Sequence, residues 1–343
     1  MGDAMNAMIA SFGELLLRLA APGAGRLLQE SRFEVHVGGA EANVACALAQ
    51  FGHPVRMLGV VSDNALGDAA LAELRRVGVD VARVRRAAGR MGLYFFEAGA
   101  MRRASEVLYD RADSAFARQV AAETDWAGLL AGVDRLHLSG VTPALGVDPA
   151  RAAQAAVEAA TALGIPVSFD GNFRGKLWQV WGGEPARWLR PLMAAADVLF
   201  ADHRDIGLVL GTDYAGHSGE AAEVAAATDA FAAFPRLRWL TSTSRRASST
   251  RQQVLSARMM SSAGRSWHSG PVELDGIVDR IGAGDAYAAG FLHALHSGHD
   301  RQDRLDFALA CGAYKHTIPG DILRASVADI RAWMEAASAD VRR

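Results

Sequence analysis

The stretch "DRIGAGDAYAAGF", residues 279–291, sets two glycines within three residues, Gly282 and Gly284, directly before a lone carboxylate, Asp285. An apolar, helix-forming run follows. Aspartate in a first helical turn is ordinary capping, because the bare N–H groups and the dipole there favour negative charge. Capping alone does not require the paired glycines. They let the backbone approach a ligand closely, and the amides of Gly282, Ala283 and Gly284 are then open to an anion. Bare amides stabilise charge spreading over a transferring phosphoryl group, and a neighbouring carboxylate accepts the proton of an attacking hydroxyl. The chemistry indicated is phosphoryl transfer to an alcohol, with Asp285 as general base.

Other motifs carry less. "GNFRGK" (171–176) resembles a P-loop but has three residues between its glycines, where four are needed, and Leu177 follows the lysine. The run at 282–290 lacks the third glycine of a dinucleotide fingerprint, which disfavours a nicotinamide dehydrogenase. His293, His296 and His299 lie at a helix end, where imidazoles suit the dipole, and no nearby acid or thiol completes a metal set. Residues 230–272 hold seven arginines and no acid. Without interleaved aromatics this is not a nucleic-acid surface; it reads as a solvated loop or as a wall facing nucleotide phosphates.

The elements that must position these residues follow from periodicity. Short apolar runs at 55–61, 135–140, 165–170, 197–202 and 237–243 read as buried strands. They alternate with helical stretches at 40–51, 66–77, 149–163, 220–231, 285–295, 304–316 and 327–337. The pattern predicts a doubly wound, mainly parallel sheet flanked by helices, in one domain spanning 1–343. The apolar run near residues 8–24 is interrupted by Glu14 and Arg18 and reads as a strand, not a signal peptide. Segments 23–38 and 90–111 read as strands without helices and predict a small β-sheet lid. Several strands end in polar or small residues, so the ligand crevice is expected at that edge.

Composition bounds the class. The chain has 343 residues, half of them hydrophobic, 22% charged residues and a net charge of −2. No global charge favours nucleic acid or an anionic membrane. No stretch approaches the ~18 uncharged apolar residues of a membrane span. Two distant cysteines, Cys46 and Cys311, fit free thiols in a reducing cytoplasm.

The two motif regions together resemble a known family. "DRIGAGDAYAAGF" resembles the C-terminal signature of the ribokinase-like (PfkB) carbohydrate kinases, and "VGGAEANVACALAQFG" (37–52) resembles their N-terminal Gly-Gly signature. The resemblance covers nearly the whole chain. It implies the doubly wound fold with a β-lid, ATP and Mg²⁺ as co-substrates, and a homodimer formed through the lids. Within the family, "GGAEANVA", "RLHLSGVTPAL", "VSFDGNFRGKLW" and "KHTIPGD" resemble the 2-keto-3-deoxygluconate kinases. That implies phosphorylation of the terminal hydroxyl of a sugar acid.

By this resemblance, Gly38, Gly39 and Asn43 match the sugar-binding part of the first signature. Tyr94 and Tyr109 match lid tyrosines that hydrogen-bond the sugar, and Arg111 and Arg174 match arginines near substrate. A guanidinium binds a carboxylate through two parallel hydrogen bonds, which a neutral sugar does not demand. Thr241 and Ser242, with Gly282 and Gly284, fall on the nucleotide side. The family's Asn-x-x-Glu element for Mg²⁺ is replaced by Asp202 and Asp205, whose oxygens suit magnesium. Asp279 and the Ile281 carbonyl match where relatives bind a monovalent cation such as K⁺. The alternatives are a kinase of the same fold for fructose or 5-keto-2-deoxygluconate and, from a different class, a catalytically silent sugar- or nucleotide-binding module.

Overall fold

Apolar strands alternating with alanine-rich helices assemble into one extended sheet and one small one. The computed structural model describes residues 7–121, 124–217 and 219–335. The first seven strands are β1 (Ile9–Phe12), β2 (Leu16–Ala20), β3 (Glu34–Gly38), β4 (Val55–Ser62), β5 (Val84–Ala87), β6 (Gly92–Glu97) and β7 (Glu106–Asp110). The rest are β8 (Arg135–Ser139), β9 (Val167–Asp170), β10 (Val198–Phe200), β11 (Trp239–Ala247), β12 (Gln252–Ser261) and β13 (Ser266–Asp275). The large sheet runs β13-β12-β11-β10-β9-β8-β1-β4-β5. From β11 to β5 every pairing is parallel, while β12 and β13 add antiparallel. Hydrophobic clusters fill both faces, as parallel strands buried on both sides require.

Chain order reverses at β1, with β4 on one side and β8 on the other. That switch point opens a crevice beyond the strands' carboxyl ends. Glu41, in the helix Ala40–Gln50, organises it: its Oε1 accepts from Ser139 N–H at 3.0 Å, Ser139 Oγ at 2.8 Å and Thr142 Oγ1 at 2.9 Å. Burial pushes this carboxyl up, and those donors oppose the shift.

Three local expectations need correction. The apolar run near residues 8–24 is two strands in different sheets, because the chain turns at Gly13-Glu14-Leu15 and carries Glu14 inward to Arg111 and Ser114. The small sheet, order β3-β2-β6-β7, therefore recruits residues 16–20, while residues 23–33 form turns. The hairpin expected around residues 98–100 is present as β6 and β7. The arginine-rich 230–272 region is largely sheet, not loop: β12 alternates buried and partly exposed residues, the period-2 pattern of a strand. The helices Gly175–Trp181, Pro185–Ala195 and His203–Leu210 were not among those expected, and Pro191 inside the second interrupts its helical pattern. The last helix is Val327–Met334, and the expected residues 336 and 337 lie outside the described residues.

Candidate active site

The helix Ala283–His296 begins at the carboxyl edge of the large sheet, facing the small one. A cavity of about 400 Å³ lies between them, bordered by Asn43, Tyr94, Tyr109, Arg111, Arg174 and Asp285, with Gly39 and residues 282–284 along one wall. Two further cavities, of about 360 and 420 Å³, continue past Gly284 along β11. Gly284 borders all three. It is exposed, and a Cβ built there would meet nothing within 4 Å, so the helix entry is open to the cavities at this residue. A larger cavity of about 730 Å³ lies elsewhere, between β4, β5 and the helix Trp126–Leu129. Among the described residues its lining holds one carboxylate, Asp125, which caps that helix.

Gly282 is the N-cap of the catalytic-candidate helix, at φ 80°, and its carbonyl accepts the first helical bond from Ala286. A Cβ on Gly282 would lie 1.9 Å from the Asp321 carbonyl oxygen, so only glycine allows this turn. Ala283 N–H makes a long bond of 3.4 Å to the Arg280 carbonyl, while the Gly284 and Asp285 amides, in the first turn, have no backbone acceptor among the described residues and remain available to an anion.

Asp285 sits in that turn. Asn43 Nδ2 donates to its Oδ2 at 2.7 Å, while Asn43 Oδ1 has no partner among the described residues. Burial pushes the Asp285 carboxyl up to about 7; the Asn43 bond and the Arg174 charge pull the other way. A carboxylate poised near neutral pH beside open amides is suited to accept a hydroxyl proton.

The sugar-side residues separate into free and committed groups. Arg111 is buried, and its Nε donates to Glu14 Oε2 at 2.7 Å, with Ser114 Oγ holding the other Glu14 oxygen. Its terminal nitrogens have no acceptor among the described residues. Arg174 is exposed, borders both the sugar-side cavity and the first of the cavities along β11, and among the described residues its side chain bonds only the adjacent Phe173 carbonyl, at 3.2 Å. Tyr94 borders the cavity, but its hydroxyl donates to Asp321 Oδ2 at 2.6 Å, so the proton expected for the sugar is already placed. Gly38 does not border the cavity; it backs onto Asp321, whose carboxylate leaves no room for a Cβ.

Past Gly284, Ser242 and Thr243 line both β11 and the cavity of about 360 Å³. Thr241 also borders it, but its hydroxyl donates to the Arg258 carbonyl at 2.8 Å and pairs with Tyr287. Asp202 is a helix cap: it accepts from the Arg204 and Asp205 amides and is paired with the Arg204 guanidinium, which holds its carboxyl low. Asp205 completes that capping box through the Asp202 amide. Burial and then the Asp202 charge push it up to about 6.

Asp170, at the end of β9, was not singled out in sequence. Burial, then the charges of Asp285 and Asp205, push it up to about 8. Its only sequence signal was its place as the last polar residue of a strand. Carboxyls held against one another in this way fit a divalent cation that keeps most of its waters. Among the described residues no three acidic or imidazole groups converge for direct ligation.

Asp279, expected with the Ile281 carbonyl at a monovalent-cation place, is bonded within the protein. Asp279 Oδ2 accepts from Arg18 Nη2 at 2.6 Å and from Gly320 N–H at 3.0 Å, and its Oδ1 accepts from Ile281 N–H at 3.0 Å. Both oxygens are occupied beside a guanidinium. The three histidines are likewise accounted for: His293 pairs with His53 at 2.9 Å, and Arg135 and Arg331 hydrogen-bond His296 and His299.

Fold and site together define a phosphotransferase acting on a sugar hydroxyl, built on the ribokinase-like α/β fold. Residues 6–326 match the pfkB family of carbohydrate kinases, and the chain belongs to that family. It is 31% identical to a 2-dehydro-3-deoxygalactonokinase of Haloferax volcanii, over 93% of each chain. It is 29% identical to a 2-dehydro-3-deoxygluconokinase of Thermoproteus tenax, over 93% of this chain and 91% of that one. The crystal structure of a 2-dehydro-3-deoxygluconokinase from Thermotoga maritima superposes with a TM-score of 0.90 at 36% identity, covering 96% of this chain and all of that one.

Proposed function

We propose that this sugar kinase uses ATP and Mg²⁺ to phosphorylate the 6-hydroxyl of 2-keto-3-deoxygluconate (2-dehydro-3-deoxygluconate). One observation carries the reading: a base of raised pKa beside open first-turn amides shares a cavity with two guanidiniums that have terminal nitrogens to spare. The guanidiniums of Arg111 and Arg174 hold the substrate carboxylate; the alternative for Arg174, which also borders the cavity beyond, is the γ-phosphate. Asn43 orients Asp285, whose free oxygen takes the 6-hydroxyl proton as the sugar oxygen forms its bond to the γ-phosphorus. The bond from that phosphorus to the ADP oxygen breaks, and the electron pair leaves with ADP. The amides of Gly282, Ala283 and Gly284 stabilise the charge spread over the transferring oxygens. Asp170 and Asp205 would hold Mg²⁺, whose charge would offset that of the polyphosphate. Ser242 and Thr241 border the nucleotide.

The whole chain acts as one kinase unit, with the small sheet as a lid that excludes water. The outer face of that sheet leaves Val35 and Leu108 each 58% exposed, with the Phe33 and Phe95 rings stacked edge to face nearby. An apolar face of this kind supports a homodimer formed lid to lid. No described helix is long and apolar enough to cross a membrane, and the two cysteines are free and buried, which supports a place in the cytoplasm.

The test is ADP release with ATP, Mg²⁺ and a panel of sugars: both epimers of the keto-deoxy acid, 5-keto-2-deoxygluconate, fructose and ribose. A kcat/KM for a keto-deoxy acid about 10²-fold above any neutral sugar is expected. Preference for fructose would assign the site to the alternative kinase. ATP consumption indifferent to every sugar would sink the reading.

A further inference from the structure

Arg18, on β2, is one of the least exposed charged groups in the protein. Its side chain is 2% exposed, yet a guanidinium stays charged wherever it lies. Nη2 donates to Asp279 at 2.6 Å, Nη1 lies 3.2 Å from Asp321 Oδ1, and the guanidinium stands 5.3 Å from the centre of the Phe96 ring. Lys315, with no exposed surface, donates from Nζ to the Ile318 carbonyl at 3.0 Å in the adjoining loop. Arg18 is thus paired with two buried carboxylates, whose charge Lys315 also feels. A further cation would lose its water beside two like charges and find the Asp279 oxygens already taken.

We propose that Arg18, seconded by Lys315, is a built-in cation that holds the loop 279–284 in register, so that the reaction needs no monovalent ion at this place. The connection to the chemistry is short. Arg18 anchors Asp279, and the other Asp279 oxygen accepts from Ile281 N–H at 3.0 Å, one residue before Gly282. On the opposite side Arg18 faces Asp321, whose carbonyl oxygen abuts Gly282. The loop that presents the amides is therefore gripped from both flanks. Tyr94 ties the sugar-side cavity into the same cluster through its bond to Asp321. Arg18 itself does not border that cavity. It is a positioning residue, not a catalytic one.

The activity arm of the test rests on the kinase reading; the stability arm does not. The full-length enzyme is exchanged into tetramethylammonium chloride, and KCl or NaCl is titrated in at constant ionic strength. Turnover with the keto-deoxy acid is expected to change by no more than about twofold, and the melting temperature to show no potassium-specific rise. A saturable activation by K⁺ of about tenfold or more, or a potassium-specific melting shift, would overturn the proposal. Arg18→Met leaves Asp279 and Asp321 without their shared partner. Its kcat is expected to fall on the order of 10²-fold, through a displaced amide loop, with the sugar KM changed far less. Millimolar guanidinium or K⁺ should restore part of the loss and raise the variant's melting temperature, which a merely structural defect would not show. If Arg18→Met does not fold, Arg18→Lys replaces it, and its kcat should stay insensitive to K⁺ because the charge is kept. Wild-type kcat in Arg18→Met without any response to cations would refute the role. If no sugar supports turnover in any salt, the kinase reading fails, and the melting comparison still decides whether this place binds K⁺.

Discussion

Replacing Asp285 by asparagine separates what the carboxylate does for catalysis from what it costs the fold. The substitution keeps the shape of the side chain and an oxygen that accepts from Asn43 Nδ2, now 2.7 Å away. It removes the carboxylate of the first turn, the group placed to take the proton. Loss of a positioned general base lowers turnover by ~10²–10⁴-fold, or about 2.7–5.5 kcal/mol of barrier, with little change in sugar KM. Stability should move the other way. The folded protein holds the Asp285 proton more tightly than the unfolded chain, since burial raises the carboxyl from 3.8 to about 7. Stability contributed by this group is therefore full below about pH 4 and is lost as pH rises through about 7. The shift corresponds to about 4 kcal/mol, an upper bound before relaxation and solvation. Asp285→Asn is thus expected to match the wild type in denaturant near pH 4 and to exceed it above pH 7. In the wild type, kcat/KM should fall below about pH 7 as one proton is taken up. Turnover within about tenfold of wild type in Asp285→Asn would remove the base from the mechanism. A flat wild-type pH profile from 5 to 8 would do so independently, in the range where about one proton should bind.

Arg174→Ala should lower kcat/KM for the sugar acid on the order of 10²-fold and leave a neutral ketose within a few fold; equal losses would assign the arginine to the phosphate. Because Arg174 lowers the Asp285 pKa, the acid limb should also move to higher pH in that variant. Gly282→Ala puts a methyl at φ 80° against the Asp321 carbonyl. It should cost about 1–3 kcal/mol in urea unfolding and lower kcat as well; an unchanged midpoint would refute the packing argument. Burial pulls His53 and His296 down to about 4 and His293 to about 3, so the unfolded chain binds these protons more readily. Stability should be full above pH 6.5 and fall as pH drops toward 4, on the order of 3 kcal/mol per imidazole, and His293→Phe should flatten that limb. Leu108→Asp should convert a lid-to-lid dimer to a single chain in sedimentation; an unchanged mass would place the interface elsewhere.

Much of the site was legible because its signals are local. A Gly-x-Gly ahead of an acid at a helix entry dictates bare amides and a first-turn carboxylate, whatever surrounds them. Strand ends in polar residues located the ligand edge, and the structure has the cavity there. What stayed hidden depends on groups far apart in the chain. The period-2 alternation in β12 was readable, but the arginines around it gave the same segment a solvated look.

The residues alone determined the alternating α/β architecture and the Gly-x-Gly-Asp turn at 282–285, since each rests on spacing within a few residues, while the sugar-side arginines were legible only through the resemblance to the family. Only the tertiary structure decided which polar atoms remain free. It gave the Tyr94 proton to Asp321, the Asp202 oxygens to a helix cap, and Asp279 to an arginine 261 positions away. It also raised Asp170 and Asp285 by burying them together. Hydrogen bonding and desolvation act through space over a few ångströms, and one-dimensional spacing carries no record of which distant groups come that close.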